Sequence, residues 1–315
     1  MLRYVVKRLL QSAVTLLIVI TLVFLVLRLM PVEGYFRPGE YDKLSESQIQ
    51  QRLENLGLND PLPLQLLNFY KNLLHGDFGV SMSFRENVAV TEIIGPKVPY
   101  SVCFGLAAIA IAFLLGVPLG ILMTTKKGKL GDQLGTGYVI FMNAVPAAVY
   151  YIFIQVFVTS WLRLPMIFDV TRPRSWFLPA ICMSLGGIAS YAMWTRRYMV
   201  DQLNQDYIKL AIAKGMKRGE VMRKHVVRNA LVPLVQYLPS SILFTISGSI
   251  YAEQLYSIPG MGGLLISAIN AQDNNLVQAL VLIYSSIGIL GLFLGDLMMG
   301  LLDPRIKLAK SGGAR

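Results

Sequence analysis

Six apolar stretches without a charged residue recur along the chain and are separated by polar segments of unequal length. They lie at residues 9–27, 98–125, 133–162, 175–195, 229–252 and 274–295. An α-helix rises about 1.5 Å per residue, so about 20 apolar residues cross the roughly 30 Å of hydrocarbon in a bilayer. The pattern predicts an all-α membrane protein with six transmembrane helices.

The first apolar stretch has two interpretations. Arg3, Lys7 and Arg8 precede it, as basic residues do in a secretory signal peptide, but no small-residue cleavage site follows Arg28. We therefore expect this stretch to remain in the protein as the first transmembrane helix.

The composition supports a membrane protein. Hydrophobic residues make up 54% of the 315 residues, charged residues make up 15%, and the mean hydropathy is +0.54. A soluble domain of this length is less apolar and more charged. The two cysteines and the two histidines are too few and too scattered for a disulfide framework or a metal site, so we expect no metal and no catalytic residues.

Basic residues are distributed unevenly between the loops, and this distribution sets the expected orientation. With the N-terminus in the cytoplasm, 19 of the 29 lysines and arginines lie on the cytoplasmic side, together with 6 of the 18 acidic residues. The opposite side then carries more acidic than basic residues, as the positive-inside rule expects. The net charge of +11 therefore indicates topology and attraction to anionic lipid rather than nucleic-acid binding.

The polar segment at residues 31–97 is too long for a simple connector and predicts a small helical cap on the external side. Ser45 and Gln48 fit a capping box at the start of one helix. Asp60 is expected to cap a second helix that has Pro61 in its first turn. The apolar stripe of this second helix is expected to pack on the membrane domain, or also to dock an external partner or guide substrate.

A basic segment at residues 207–233 follows the fourth apolar stretch on the predicted cytoplasmic side. Asn204 or Asp206 can cap a helix of about two turns that ends at Gly215, where a left-handed backbone is easily accepted. So short a helix is unstable alone in water and must lie against other protein. The small Ala211 would allow close approach of a soluble partner, although a basic helix lying on lipid is the alternative.

Polar residues at membrane depth are candidates for a hydrated pathway or for bonds between helices. They are Asn143, Gln155, Ser247 and Ser249. Gly116 and Gly120 lie four residues apart on one helix face and predict close helix packing. Ionisable residues are rare within the stretches, which argues against a proton-coupled carrier.

Several short motifs are spread over the chain. They are Gly57-Leu-Asn-Asp-Pro-Leu, Gly76-Asp-Phe-Gly-Val-Ser81, Ile258-Pro-Gly-Met-Gly-Gly263 and Leu302-Asp-Pro-Arg-Ile-Lys307. Residues 207–233 are similar to the EAA motif of ABC import permeases, with Gly215 at its glycine and Ala211 at its second alanine. Together these motifs resemble the permease subunits of oligopeptide and dipeptide ABC importers. Lys209 and Leu210 depart from the general motif, which has Glu and Ala there.

The resemblance implies a type I ABC importer fold, in which this chain and a second homologous permease form the translocation pathway between them. It further implies two nucleotide-binding ATPase subunits, which bind ATP and magnesium, and an external substrate-binding protein. No cofactor is expected on this chain itself, and the sequence has no Gly-x-x-x-x-Gly-Lys-Ser/Thr phosphate loop. The resemblance makes residues 207–217 a coupling helix seated in a groove of an ATPase subunit. The residues expected to couple to that subunit are Asp206, Tyr207, Lys209, Leu210, Ala211, Lys214, Gly215 and Met216.

The apolar pattern and the resemblance together divide the chain. Residues 1–30 form a cytoplasmic N-terminus with the first transmembrane helix, and residues 31–97 form the external cap. Residues 98–302 form the transmembrane core with a cytoplasmic coupling segment at 200–230, and residues 303–315 form a cytoplasmic tail. The resemblance implies a location in the bacterial cytoplasmic membrane, with both termini in the cytoplasm.

The expected function is therefore that of a permease subunit in an ATP-driven peptide importer, with nickel chelates or another small solute as alternative substrates. An ion-coupled secondary transporter would need sites for its coupling ion within the membrane. An intramembrane enzyme would need a catalytic motif, and neither His-Glu-x-x-His nor Gly-x-Ser-x-Gly occurs in the sequence.

Overall fold

The computed structural model describes residues 2–29, 31–37 and 39–302, and among these it leaves undescribed the side chains of residues 2–4, 240, 242–244, 246–249 and 299–302. The described chain is helical, and its β-structure is one isolated bridge between Val80 and Ala89. Its α-helices are α1 Leu2–Arg28, α2 Glu46–Asn55, α3 Leu62–Leu74, α4 Val90–Ile94, α5 Val98–Thr125, α6 Leu130–Ala144, α7 Ala147–Phe153, α8 Thr159–Leu162, α9 Arg174–Leu203, α10 Asp206–Ala213, α11 Arg218–Val221, α12 Arg228–Leu255, α13 Met261–Asn270 and α14 Asn274–Leu302. Short 3-10 helices lie at Val32–Tyr35 and Tyr41–Lys43, and π-helical turns lie at Ile154–Val158 and Met222–Val227.

Each of the six apolar stretches lies in a helix or in a pair of helices. Four helices are long and apolar enough to cross a bilayer, namely Val5–Arg28, Val98–Thr125, Arg174–Leu203 and Asn274–Met298. The fifth stretch lies in α12, which contains Pro233 and Pro239 within a continuous helix. Six membrane crossings remain a prediction, because length and composition establish four, or five if α6 and the helix after it form one bent span.

The third apolar stretch is not one straight helix. α6 and the segment Ala147–Leu162 are bent by 108° where they meet at Val145 and Pro146. Val145 has an extended backbone, with φ −95° and ψ 125°, because a proline disfavours the helical conformation in the residue before it. Pro146 predicts this bend from the sequence, whereas the absence of charged residues predicts only an apolar stretch.

Two compact units make up the chain. Among the described residues, the first unit comprises residues 2–10, 102–258 and 290–302, and the second comprises residues 11–101 and 259–289.

Helix α9 is the centre of the first unit, with α5, α6 and α12 packed against it. The predicted close approach at the glycine pair is confirmed, since a Cβ atom at Gly120 would lie 2.5 Å from Thr195 Cβ and one at Gly116 would lie 2.7 Å from the Ile188 carbonyl oxygen. Arg196 donates from Nε and Nη2 to the two carboxylate oxygens of Asp132, at 2.8 and 3.1 Å, and thereby ties α9 to the first turn of α6.

The second unit contains the helices of residues 31–97. Ser45 and Gln48 form the predicted capping box at the start of α2, with each side chain bonded to the other residue's backbone amide. The predicted cap at Asp60 is wrong by one residue, because α3 begins at Leu62 and Pro61 holds the cap position without a side-chain bond. Boundaries of this kind shift easily by one residue.

A buried carboxylate organises the second unit. Asp273 is fully buried, and its Oδ2 accepts hydrogen bonds from Ser81 Oγ at 2.5 Å and from the amides of Met82, Ser83 and Phe84 at 3.0, 3.1 and 3.1 Å. Its Oδ1 caps α14 by accepting from the Leu276 amide at 3.1 Å. A buried charge needs such a set of donors, and here they fix the turn at residues 81–84 to the start of α14.

Asp273→Ala should loosen this turn. Each hydrogen bond to a charged acceptor contributes about 1.5–3 kcal/mol, so amide hydrogen exchange at residues 82–84 should become about tenfold faster or more. Asp77→Ala is the matched control, since that carboxylate accepts from the Gly79 amide at 2.8 Å in the same segment. Equal exchange at residues 82–84 in both variants would contradict the assigned role of Asp273.

Gly120→Leu should destabilise the first unit, because the new side chain would collide with the backbone of α9. Overpacking of this kind costs about 1–3 kcal/mol. Gly137→Leu is the control, because no described atom beyond its chain neighbours and its own helix backbone lies within 4 Å of the Cβ position at Gly137. The apparent melting temperature of the detergent-purified chain should fall for Gly120→Leu and stay near that of the parent for Gly137→Leu.

Candidate functional site

Helix α10 begins without a side-chain cap. Its cap position is Gln205, so the prediction that Asn204 or Asp206 caps it is wrong. Asp206 is instead the first helical residue, where a negative charge is favourable, and it binds Lys209 Nζ at 2.8 Å. The predicted end is confirmed, because Gly215 follows the helix with φ +85°.

One face of α10 is packed against the chain itself. Ile208 is 2% exposed and Ala211 is 8% exposed. They join a cluster with buried residues of α9, of α11, of the π-helical turn after α11 and of α12, and Met216 packs on its edge. The other buried members of the cluster are Met199, Val221, Val226 and Ala230. The expectation that Ala211 offers close approach to a soluble partner is therefore revised, since its methyl group faces inward.

Tyr207 ties α10 to the helices on both sides of it. Its hydroxyl donates to Gln202 Oε1 near the end of α9 and accepts from Asn229 Nδ2 of α12 at 2.9 Å. Its ring also lies 6.3 Å from that of His225. Tyr207 thus fixes the position of α10 and remains partly exposed.

The other side chains of α10 are exposed. Leu210 and Ile212 are each 55% exposed, and Lys209 and Lys214 are exposed beside them. We refer to Lys209, Leu210, Ile212 and Lys214 as the exposed α10 face. Sequence reasoning missed Ile208 as the anchor and Ile212 as part of this face, although apolar residues on both sides of so short a helix are a sign of two contacts.

The segment after α10 carries an ion pair at a spacing of four residues. Lys224 Nζ donates to Glu220 Oε1 at 2.7 Å, one helical turn apart. The hydrogen bond from Lys224 lowers the pKa of the Glu220 carboxyl, which keeps the pair charged. The two groups lie at the surface, and the pair therefore orders the turn more than it stabilises the fold.

A cavity of about 330 Å³ lies within the first unit, between α5, α6, α7, α9 and α12. Asn143, one of the predicted pathway residues, lines it, and its Nδ2 donates to the Val139 carbonyl at 2.7 Å. Hydroxyl groups missed by sequence reasoning share the wall, including Tyr191, which donates to Ser241 Oγ at 3.2 Å. The walls are otherwise aromatic and aliphatic, and none of the lining residues carries a charge.

The other predicted pathway residues are not brought together with Asn143. Gln155 is buried outside the cavity, and its Nε2 donates to the carbonyls of Met166 at 3.0 Å and Leu255 at 2.8 Å, so it holds loop backbone in place. The side chains of Ser247 and Ser249 lie outside the described residues. The Leu302–Lys307 motif also lies almost wholly beyond them.

Proteins of known type are similar to this chain over its whole length. A dipeptide transport system permease protein of Bacillus subtilis is 33% identical over 314 residues, covering 99% of this chain and 100% of the relative. A glutathione transport system permease protein of Pectobacterium atrosepticum is 32% identical over 308 residues, covering 98% of this chain and 99% of the relative. Among solved structures, an inward-facing methionine ABC transporter has a chain that aligns with a TM-score of 0.54 at 15% identity, covering 68% of this chain and 97% of that one, which shows a shared fold.

Family models cover nearly the entire sequence. Residues 1–105 match the N-terminal region of binding-protein-dependent transport system membrane components. Residues 116–308 match the binding-protein-dependent transport system inner membrane component itself, and this match includes α10 and the residues that anchor it. The chain therefore belongs to the family of binding-protein-dependent transport system inner membrane components, the permease subunits of ABC importers.

Proposed function

We propose that this chain is the membrane-spanning permease subunit of an ATP-driven peptide importer and forms half of its translocation pathway. The relatives described above support a peptide substrate, because they match end to end and are named for dipeptide and glutathione transport. None of those relatives is named for a nickel chelate, which was the alternative substrate. As a permease, the chain is a transport component rather than an enzyme.

The structure of α10 carries the proposed mechanism. One face of the helix is fixed to α9 and α12, and the exposed α10 face is free to enter a groove on an ATPase subunit. When two such subunits close on ATP and magnesium, each would displace the α10 that it holds, and the attached spans would follow. This is a two-state membrane element whose equilibrium is shifted by a ligand bound to a partner.

The remaining partners follow from this mechanism. A second, homologous permease would complete the pathway, and a substrate-binding protein would deliver peptide on the external side. Since ATP is cytoplasmic, α10 and both termini would lie in the cytoplasm, as the positive-inside rule predicts. The uncharged cavity beside Asn143 is a candidate for part of the pathway.

Leu210→Glu should separate docking from folding. A charge on the exposed α10 face should weaken capture of the ATPase subunit and lower peptide uptake by about tenfold or more, as for a central contact of an interface. Leu130→Glu is the matched control, because Leu130 is 74% exposed and follows the last basic residue of the turn between α5 and α6. Co-purification of the ATPase subunit and uptake into vesicles should both remain near the parent level for Leu130→Glu.

Ala211→Glu tests the opposite face of the same helix. It would bury a charge in the cluster around Met199, so it should reduce the yield of folded chain rather than only its coupling.

If Leu210→Glu bound the ATPase subunit and transported normally, the docking assignment would be wrong. If Ala211→Glu folded normally, the inward anchor would be wrong.

Gly215→Leu should uncouple transport through the backbone alone. A left-handed backbone costs a residue with a side chain about 1–2 kcal/mol, whereas open space surrounds the Cβ position. Gly219→Leu is the control, since it too faces open space but has no left-handed backbone. Uptake per folded complex should fall for Gly215→Leu and not for Gly219→Leu, and equal uptake would remove Gly215 from the mechanism.

A further inference from the structure

The loop between α8 and α9 carries three arginines around one open pocket. Arg163, Arg172 and Arg174 line this pocket of about 580 Å³ together with Thr171 and neighbouring backbone. All three arginines are exposed. Residues 163–174, which we call the arginine loop, contain a single acidic residue, Asp169, and therefore carry a net charge of +2.

The arginine loop is held in a fixed shape at both ends. Arg163 has a left-handed backbone with φ 53°, and the following amide of Leu164 donates to the Thr159 carbonyl at 3.0 Å. At the other end, Ser175 Oγ donates to the Asp169 carbonyl at 2.8 Å and accepts from the Asp169 amide at 3.0 Å. The Phe168 amide donates to the Tyr256 carbonyl at 2.7 Å. The arginines therefore project from an ordered frame.

The charge of the loop is only partly neutralised within the chain. Asp169 binds Arg172 Nε at 3.3 Å. Hydrogen bonds from Thr171 lower the pKa of the Asp169 carboxyl and keep it ionised. No carboxylate among the described residues lies within 4.0 Å of Arg163 or Arg174, so two guanidinium groups remain available to an anion.

Exposed apolar side chains lie close to the arginines in the sequence. Trp161 is 82% exposed, and Ile167 and Phe177 are each 58% exposed. Met166 and Val170 are exposed to a similar degree, and we call these five side chains the apolar rim. A site for a freely soluble anion has no need of such a rim, whereas a lipid presents a phosphate and acyl chains to the protein together. Aromatic residues beside basic groups are typical of the boundary between hydrocarbon and lipid headgroups.

The position of the loop in the sequence also calls for a partner. In the orientation given under the proposed function, the loop is external, where the positive-inside rule disfavours arginine. Even so, it holds three of the ten external basic residues within twelve positions. A bound anion at the membrane surface would offset that charge.

We propose that the arginine loop binds the phosphodiester headgroup of an anionic phospholipid, with Arg163 and Arg174 on the phosphate and the apolar rim against the acyl chains. Guanidinium groups suit this ligand because they form paired hydrogen bonds to phosphate oxygens. The external location rests on the proposed function, but the binding of lipid does not require transport.

The test uses the full-length chain in bilayers of phosphatidylcholine with phosphatidylglycerol as the minor component. Lipids that remain bound after brief transfer to detergent are counted by mass spectrometry, as the ratio of phosphatidylglycerol to phosphatidylcholine. The double variant Arg163→Gln, Arg174→Gln leaves the Arg172–Asp169 pair in place. Lys43→Gln, Lys71→Gln is the control, since it removes the same charge from exposed positions of residues 31–97.

The ratio should fall by about fivefold or more in the arginine variant, because two charges that attract an anionic headgroup are lost, and stay unchanged in the control. An unchanged ratio in the arginine variant would overturn the proposal. Displacement of the lipid by inorganic phosphate or glycerophosphate at constant ionic strength would assign the loop to a soluble anion instead. An unchanged ratio combined with lost stimulation by the substrate-binding protein would assign it to an acidic protein surface. Because none of the lipid measurements depends on uptake, they stand or fall separately from the peptide importer.

Discussion

The inward packing of Ile208 and Ala211 is the contact on which the proposed coupling depends. A helix of two turns is unstable alone, so its shape comes from the cluster that receives these side chains. Because the cluster joins α9 and α12, a push on α10 acts on two long helices at once. The hydroxyl of Tyr207 adds directional bonds at the same junction, to Gln202 and Asn229. The exposed α10 face can then be specific for a partner without having to hold the helix together.

The two compact units are built by different means. The first is packed through backbone approach at Gly116 and Gly120 and is tied by the bidentate pair of Asp132 and Arg196. The second gathers its turn at residues 81–84 around the buried Asp273. The motif Gly76–Ser81 thus has a structural role here, since its last residue is the donor in the shortest of the bonds to that carboxylate.

Features that depend on a few neighbouring residues could be predicted from the sequence. The capping box at Ser45, the left-handed Gly215 and the pair of Glu220 with Lys224 all follow from local spacing, and so did the apolar helices. The set of hydrogen bonds to Asp273 could not be predicted, because the donors lie about 190 residues away in the sequence. The inward packing of Ala211 could not be predicted either, because the sequence of a helix that is apolar on two sides does not show which side packs on its own chain. The prediction that Gln155 lines the pathway failed for a similar reason, because a polar amide in an apolar stretch can either line a pathway or bond to loop carbonyls.

The proposed coupling requires that α10 and α9 move as one body when the ATPase subunits bind ATP. Spin labels at Ile212→Cys and Met193→Cys, with Cys103 and Cys182 replaced by serine, would report the distance between these helices by double electron–electron resonance. Because Ile212 belongs to the exposed α10 face, the measurement uses labelled transporter that still co-purifies with its ATPase subunits. Both label sites are exposed on the chain. We expect the same distance distribution with and without a non-hydrolysable ATP analogue. The distance between Ile212 and the corresponding position of the second permease should change. A shift of α10 against α9 on ATP binding would contradict the proposed coupling.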